Sequence, residues 1–198
     1  MSISPLLLAG LLGLGLSASC GLNTFLPLLL LSAAARWHIA GIALNAKFAW
    51  LSSDIAILIL LIATLIEVIA DKVPAIDHFL DVVGTFIRPI AGLVAMASVF
   101  HGVDPTTAAI VGLIVGTPVS LGMHTVKAAT RAASSATTFG CANPVLSLIE
   151  DLISLIVSMI AIFAPLLVPL VVLIVAVVLW KLAKRINAPP APSPGSGS

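Results

Sequence analysis

Between Ser4 and Ala35 the chain carries no charged side chain, and between Leu152 and Trp180 it carries none either. Runs of this kind supply the roughly 20 apolar residues that a helix needs to cross a bilayer. A soluble domain has about 25% charged residues, whereas this chain of 198 residues is 60% hydrophobic and 9% charged. One small globule of that composition cannot cover itself with polar surface in water. Soluble, disordered and disulfide-scaffold classes are therefore excluded. Barrel strands would alternate apolar and polar residues at period two, and no stretch does. The expected fold class is all-α, a polytopic membrane helix bundle. It forms a single integral-membrane domain over residues 1–186, and the Pro/Gly/Ser-rich stretch 187–198 reads as a disordered tail.

Nine Lys+Arg against eight Asp+Glu leaves no basic excess for nucleic-acid binding. Cys20 and Cys141 have no metal or redox spacing, and the sequence specifies no cofactor. The first apolar run lacks the positive n-region of a signal peptide, so it is expected to be a retained membrane segment.

Candidate membrane helices cover 4–35, 54–73, 78–100, 105–132, 145–164 and 165–186. The first is too long for one perpendicular span and must tilt, protrude or break. The last two share one apolar run interrupted by Pro165 and Pro169, so the count is five or six. With six spans and both termini cytoplasmic, the inner side receives Lys72, Lys127, Arg131, Lys181, Lys184 and Arg185, and the outer side only Arg36 and Lys47. That asymmetry fits the positive-inside rule, and Trp37, Trp50 and Trp180 then fall at interfaces. The bacterial inner membrane is the expected location, with the lipid bilayer as partner and a homo-oligomer as the expected assembly.

Gly15, Ser19, Gly21 and Thr24 match Gly116, Ser120, Gly122 and Thr125 at an offset of 101 residues. Three spans separate the copies, so the six-span topology predicts two inverted halves, 4–100 and 105–186, as in many secondary transporters. Gly21 with Pro27, and Thr117-Pro118 with Gly122, would break each helix in mid-membrane. Such breaks survive only inside protein or against a wet cavity. The alternative is close helix packing through small residues. Asn23, Thr24, His124 and Thr125 are the candidate substrate-binding residues at these breaks.

Glu67 and Asp71 stand four apart on one helix face, and Asp77, Asp81, Thr85 and Arg88 on another. Pro74 separates the two groups. A lipid-facing charge at the membrane centre costs about 2.5–3.5 kcal/mol, so Glu67, Asp81, Arg88 and Glu150 must turn inward and pair, become neutral or meet water. Asp71, Lys72, Asp77 and His78 can instead reach the headgroups, and Lys127 can snorkel to the interface. Glu150-Asp151, after Asn143-Pro144, suits a helix first turn. The candidate coupling and gating set is Glu67, Asp71, Asp77, Asp81, Arg88 and Glu150.

No phosphate loop, zinc helix or nucleophile elbow is present, so no enzyme is expected. Gly21-Leu-Asn-Thr-Phe-Leu-Pro27, Ala34-Ala-Arg-Trp37, Glu67-x-x-x-Asp71-Lys72-x-Pro74-x-x-Asp77-His78-x-x-Asp81 and Gly84-Thr-Phe-Ile-Arg-Pro89 together resemble an uncharacterised bacterial multi-pass membrane family, domain of unknown function 4126, over about residues 10–185. The resemblance implies a multi-pass membrane fold and brings no activity. The residues themselves favour a small secondary transporter or channel-like carrier. Acidic residues exceed basic ones at depth, which favours a cation or proton-coupled small solute, while Arg88 and the helix breaks leave an anion open. The alternatives are a polyprenyl-phosphate-type lipid translocase and a non-transporting membrane scaffold or assembly factor.

Overall fold

The computed structural model describes residues 4–186, with side chains described outside 74–81, 179 and 182–186. The side chains of Asp77, His78 and Asp81, and the tail 187–198, thus lie outside the described residues. Eight α-helices and no strand occur among the described residues: α1 (Pro5–Cys20), α2 (Leu26–Arg36), α3 (Asp54–Ala70), α4 (Pro74–Ser98), α5 (Pro105–Val111), α6 (Thr117–Thr138), α7 (Asn143–Phe163) and α8 (Val168–Ile186). Two helical runs, 105–138 and 143–163, are long and apolar enough to cross a membrane, and a third is added if the short turn Ala46–Ser52 and α3, bent by 67°, count as one.

The bundle buries charged side chains beside a hydrophobic core and turns large apolar side chains outward. Arg88, Lys127, Arg131, Asp71, Glu150 and Glu67 are all buried. Ile59, Ile66 and Ile69 of α3, Phe86 and Ile90 of α4 and Leu173 of α8 each expose more than half their surface. Water would drive the opposite partition; a hydrocarbon surround permits this one.

Packing contacts fix the helix directions. Along α1, Gly13 abuts Met96 and Val99, and Ser17 donates to the Gly92 carbonyl at 2.8 Å, so α1 and α4 are antiparallel. Along α6 and the turn before it, Gly112 meets Leu93 and Ala97, Gly116 meets Gly92, and Ser120 donates to the Arg88 carbonyl at 2.8 Å. Hence α6 is also antiparallel to α4, and α1 and α6 run parallel. This corrects the expectation of opposite senses: the sequence match at offset 101 marks two segments that present small residues to the same helix, α4, and they do not form inverted halves. Gly21 and Gly116 have no room for a Cβ, because the backbone carbonyls of Ser120 and Gly92 lie against them.

The first apolar run breaks, as its length requires. Residues 21–25 form a turn, and α2 doubles back: Thr24 meets Glu67 while Arg36, at the far end of α2, pairs with Asp54 at the start of α3. The start of α1 and the loop after α2 share one end of the bundle, where Pro5, Leu6, Ala40, Val99 and Ala164 line a common apolar cavity of about 740 Å³. The second expected break is absent. The helix runs unbroken through Gly122–Thr125, and the irregularity lies earlier, in a wide π turn over Gly112–Gly116. Pro118 cannot donate to the preceding turn, and a single wide turn absorbs the mismatch.

The run shared by α7 and α8 is interrupted at Ala164 (φ −142°, ψ 60°). Ser154 of α7 donates to the Ser19 carbonyl, Gly15 abuts both Ala161 and Val168, and Val172 and Val175 pack near Leu22. These contacts make α7 and α8 an antiparallel hairpin. The α8 helix then ends opposite the start of α1, so the described ends of the chain lie at opposite ends of the bundle, contrary to the expectation of one side. The six-span count put α1 and α2 in one helix, and their hairpin changes the parity.

Candidate functional site: a buried charge cluster at a broken helix

The turn between α1 and α2 exposes backbone donors inside the protein, and Glu67 fills them. Its carboxylate accepts from the Thr24 N–H at 2.9 and 3.0 Å, the Thr24 hydroxyl at 2.8 Å and the Phe25 N–H at 3.2 Å. Asn23 caps the turn from the other side, its Oδ1 accepting from Leu26 N–H at 3.0 Å, and its amide donates to Asp151 at 2.9 Å. A helix N-terminus buried in protein needs such acceptors, since its first N–H groups have no helical partner.

Arg88 lies beside Glu67, with Nη2 at 3.4 Å from the carboxylate. Its Nη1 donates to His124 Nδ1 at 2.8 Å and to the Gly21 carbonyl at 3.3 Å. A guanidinium cannot accept, so Nδ1 is the acceptor and neutral His124 carries its proton on Nε2, 3.1 Å from the Thr85 hydroxyl. His124 thus orients Arg88 toward the broken turn.

Toward the opposite end from Pro5 the cluster continues as a second set. Lys127 donates to the Leu22 carbonyl at 2.7 Å and lies 3.0 Å from Asp71 and 3.4 Å from Glu150. Arg131 reaches Glu150 at 2.6 Å and Asp71 at 3.1 Å. Lys72 lies 3.4 Å from Asp151. Among the described side chains, four carboxylates (Glu67, Asp71, Glu150, Asp151) thus face four cations (Lys72, Arg88, Lys127, Arg131).

Of the expected site residues, Asn23, Thr24, His124, Glu67, Asp71, Arg88 and Glu150 converge here. Thr125 does not: it is exposed on the outer face of α6 and its hydroxyl returns to the Leu121 carbonyl. Asp77 and Asp81 lie outside the described side chains. Three readings need correction. Lys127 is fully buried and does not snorkel, because two carboxylates and a free carbonyl meet it inside. Asp71 likewise pairs inside the bundle and does not sit in the headgroups. Glu150 stands in the second turn of α7, pointing at Arg131, and caps nothing.

Arg131, Lys127, Lys72, Thr85 and Asp151 were not among the expected site residues. The available signal was the spacing of His124, Lys127 and Arg131, three and four apart and so on one face of a helix, a cationic stripe matching the acidic stripe Glu67–Asp71. Among the described side chains, including them matches each carboxylate of the cluster with a cation.

A cavity of about 200 Å³ adjoins the cluster, lined by Thr24, Ile66, Glu67, Gly84, Ile87 and Arg88 among others. It opens sideways between α3 and α4, where Ile66 and Ile87 are exposed at its rim. The larger cavity near Pro5 lies at the other end of α1 from these charges and is apolar. No group of three or more His, Cys, Asp or Glu arranged for a metal occurs among the described residues. No curated protein and no solved structure matches the chain. The family model for a domain of unknown function (DUF4126) matches residues 11–185, and the chain belongs to that family.

Proposed function

We propose that this protein is a small integral-membrane carrier of the bacterial inner membrane, moving a small solute in a proton-linked cycle through the site at the α1–α2 turn. In this reading α3, α4, the α5–α6 run, α7 and α8 cross the bilayer, and α1–α2 is a re-entrant hairpin that reaches part-way in from the outer face. Lys72, Lys127, Arg131 and Lys181 then lie toward the cytoplasmic end and Arg36 and Lys47 at the other, in line with the positive-inside rule. The cytoplasmic terminus is the carboxyl end.

The observation that carries the reading is Glu67: a buried carboxylate whose partners are the donors of an interrupted helix, next to an open cavity. Irregular backbone at membrane depth is tolerated where it is buried in protein or lines a cavity, and transporters place their sites there. Among the described side chains, the four carboxylates and four cations balance when all eight are ionised. Protonation of Glu67 would remove the negative charge that faces Arg88 and the turn, so proton uptake and anion or solute binding are electrostatically linked.

The test is purified full-length protein in proteoliposomes holding a pH-sensitive dye. An imposed pH gradient is expected to decay faster with wild type than with Glu67→Gln or empty vesicles. Equal rates for all three would refute the carrier. A second reading, a non-transporting assembly scaffold, is favoured by the close pairing of the buried charges and predicts that equality.

A further inference from the structure

Glu67 occupies a position that is built for an anion. Its seat consists of two backbone N–H groups, one hydroxyl and a guanidinium, at the start of the 11-residue α2. Two further observations point to a ligand. Arg88, only 1% exposed, keeps its Nε without a hydrogen-bond partner, although it lines the cavity. Its contact to Glu67 is also long at 3.4 Å, against about 2.7–2.9 Å for a good charge-assisted bond. The guanidinium is held in place by His124 and Gly21 through Nη1, Nη2 makes only the long bond to Glu67, and Nε is unspent.

The cavity walls add the second half of the chemistry. Phe25, Ala63, Ile66, Val83 and Ile87 are apolar, and the opening lies on the apolar exterior between α3 and α4. A water-facing oxyanion site would have a polar mouth. This one pairs a polar floor of Thr24, Glu67 and Arg88 with a hydrocarbon-compatible entrance.

Resting on the carrier reading, we infer that the solute of this site is an amphiphile, an oxyanion head group borne on an alkyl chain, which enters sideways between α3 and α4 and displaces the Glu67 carboxylate from the Thr24–Phe25–Arg88 seat. Glu67 is then an intramolecular competitor, and its release is the step that opens the site. Thr24 and Arg88 bind the head group, and Ile66 and Ile87 hold the chain.

The experiment uses full-length protein in phosphatidylcholine vesicles containing a phosphatidic acid whose acyl chain carries a photoactivatable diazirine. Labelling is expected to concentrate on the segments containing Ala63–Ile66 and Val83–Ile87, several-fold above an identically tagged phosphatidylcholine. Glu67→Gln and Glu67→Ala are expected to raise it at least threefold, and Thr24→Val, which removes one donor and no charge, to lower it. Suppression by millimolar inorganic phosphate would assign the site to a water-borne phosphate; suppression by unlabelled phosphatidic acid alone would assign it to a lipid head group. Labelling equal to that of the phosphatidylcholine probe in wild type and all three variants overturns the inference. Because labelling needs no translocation, site labelling without proton flux refutes the carrier and keeps the site, while flux without selective labelling does the reverse.

Discussion

Lys127→Met separates the two accounts of a lysine in a membrane helix. In the structure the ammonium is fully buried, donates to the Leu22 carbonyl at 2.7 Å, and stands 3.0 and 3.4 Å from Asp71 and Glu150. Methionine fills much of the same volume, so little cavity is created. What is lost is one cation shared by two carboxylates. Arg131 then faces both alone, and one buried carbonyl has no side-chain donor. Breaking a buried pair by deleting one partner costs about 3–5 kcal/mol. For a chain of this size that corresponds to a fall of roughly 6–20 °C in Tm. A lysine reaching the interface would give a change within about 0.5 kcal/mol. The measurement is thermal unfolding of the detergent-solubilised protein, followed by loss of the monodisperse peak on size exclusion. Adding Glu150→Gln removes one of the stranded carboxylates, so the double variant is expected to fall short of the sum of the singles by about 0.5–3 kcal/mol. Melting of Lys127→Met within 2 °C of wild type, or strict additivity of the pair, would refute the buried cluster.

Gly21 and Gly122 occupy equivalent positions in the sequence match yet should respond oppositely: a Cβ at Gly21 meets the α6 backbone, with His124 N at 3.0 Å, and Gly21→Ala is expected to cost about 1–3 kcal/mol. Around Gly122 there is open space, so Gly122→Ala should be neutral or stabilising by up to about 1 kcal/mol in thermal unfolding. Cys141 is exposed in the loop between α6 and α7 and Cys20 is buried; a membrane-impermeant maleimide should label Cys141 in inverted vesicles and not in spheroplasts, and the reverse pattern would invert the proposed orientation. Asp104 caps α5, and the Thr107 backbone N–H at 2.9 Å holds its carboxyl below the usual range. Its folded value being lowered, its stabilisation is complete above the unfolded value of about 3.9 and is lost as pH falls through the folded one. Hydrogen-exchange protection of the Thr107 amide should therefore drop only below about pH 4, and constant protection down to pH 2 would contradict the cap.

Helix positions were legible because apolar length and proline placement are local signals: the stretches expected at 54–73, 105–132 and 145–164 appear as α3, the α5–α6 run and α7. Inward convergence of Glu67, Arg88 and Glu150 was legible from the cost of stranding charge in hydrocarbon. The direction of α2 was not. Nothing in Leu22–Pro27 alone distinguishes a kink from a reversal, and the reversal is fixed by Glu67 and Asp151, 43 and 128 residues away. Lys127 was misjudged, and Arg131 passed over, for a related reason. A long cationic side chain near a helix end has two outlets, and the choice depends on carboxylates from other helices. The match at offset 101 was real as a pattern of small residues, but small residues report closeness to a neighbour and carry no information on direction.

The reversal at Gly21–Phe25 also constrains how the protein is made. Asn23 and Thr24 are made before their partners: Glu67 follows only near the end of α3, and Asp151 only in the first half of α7. Until then the tip of the hairpin holds uncompensated amides with no place in the lipid. The α1–α2 hairpin is therefore seated only after α3 and the start of α7 have been made, and a chain stopped before α7 is expected to leave it undocked.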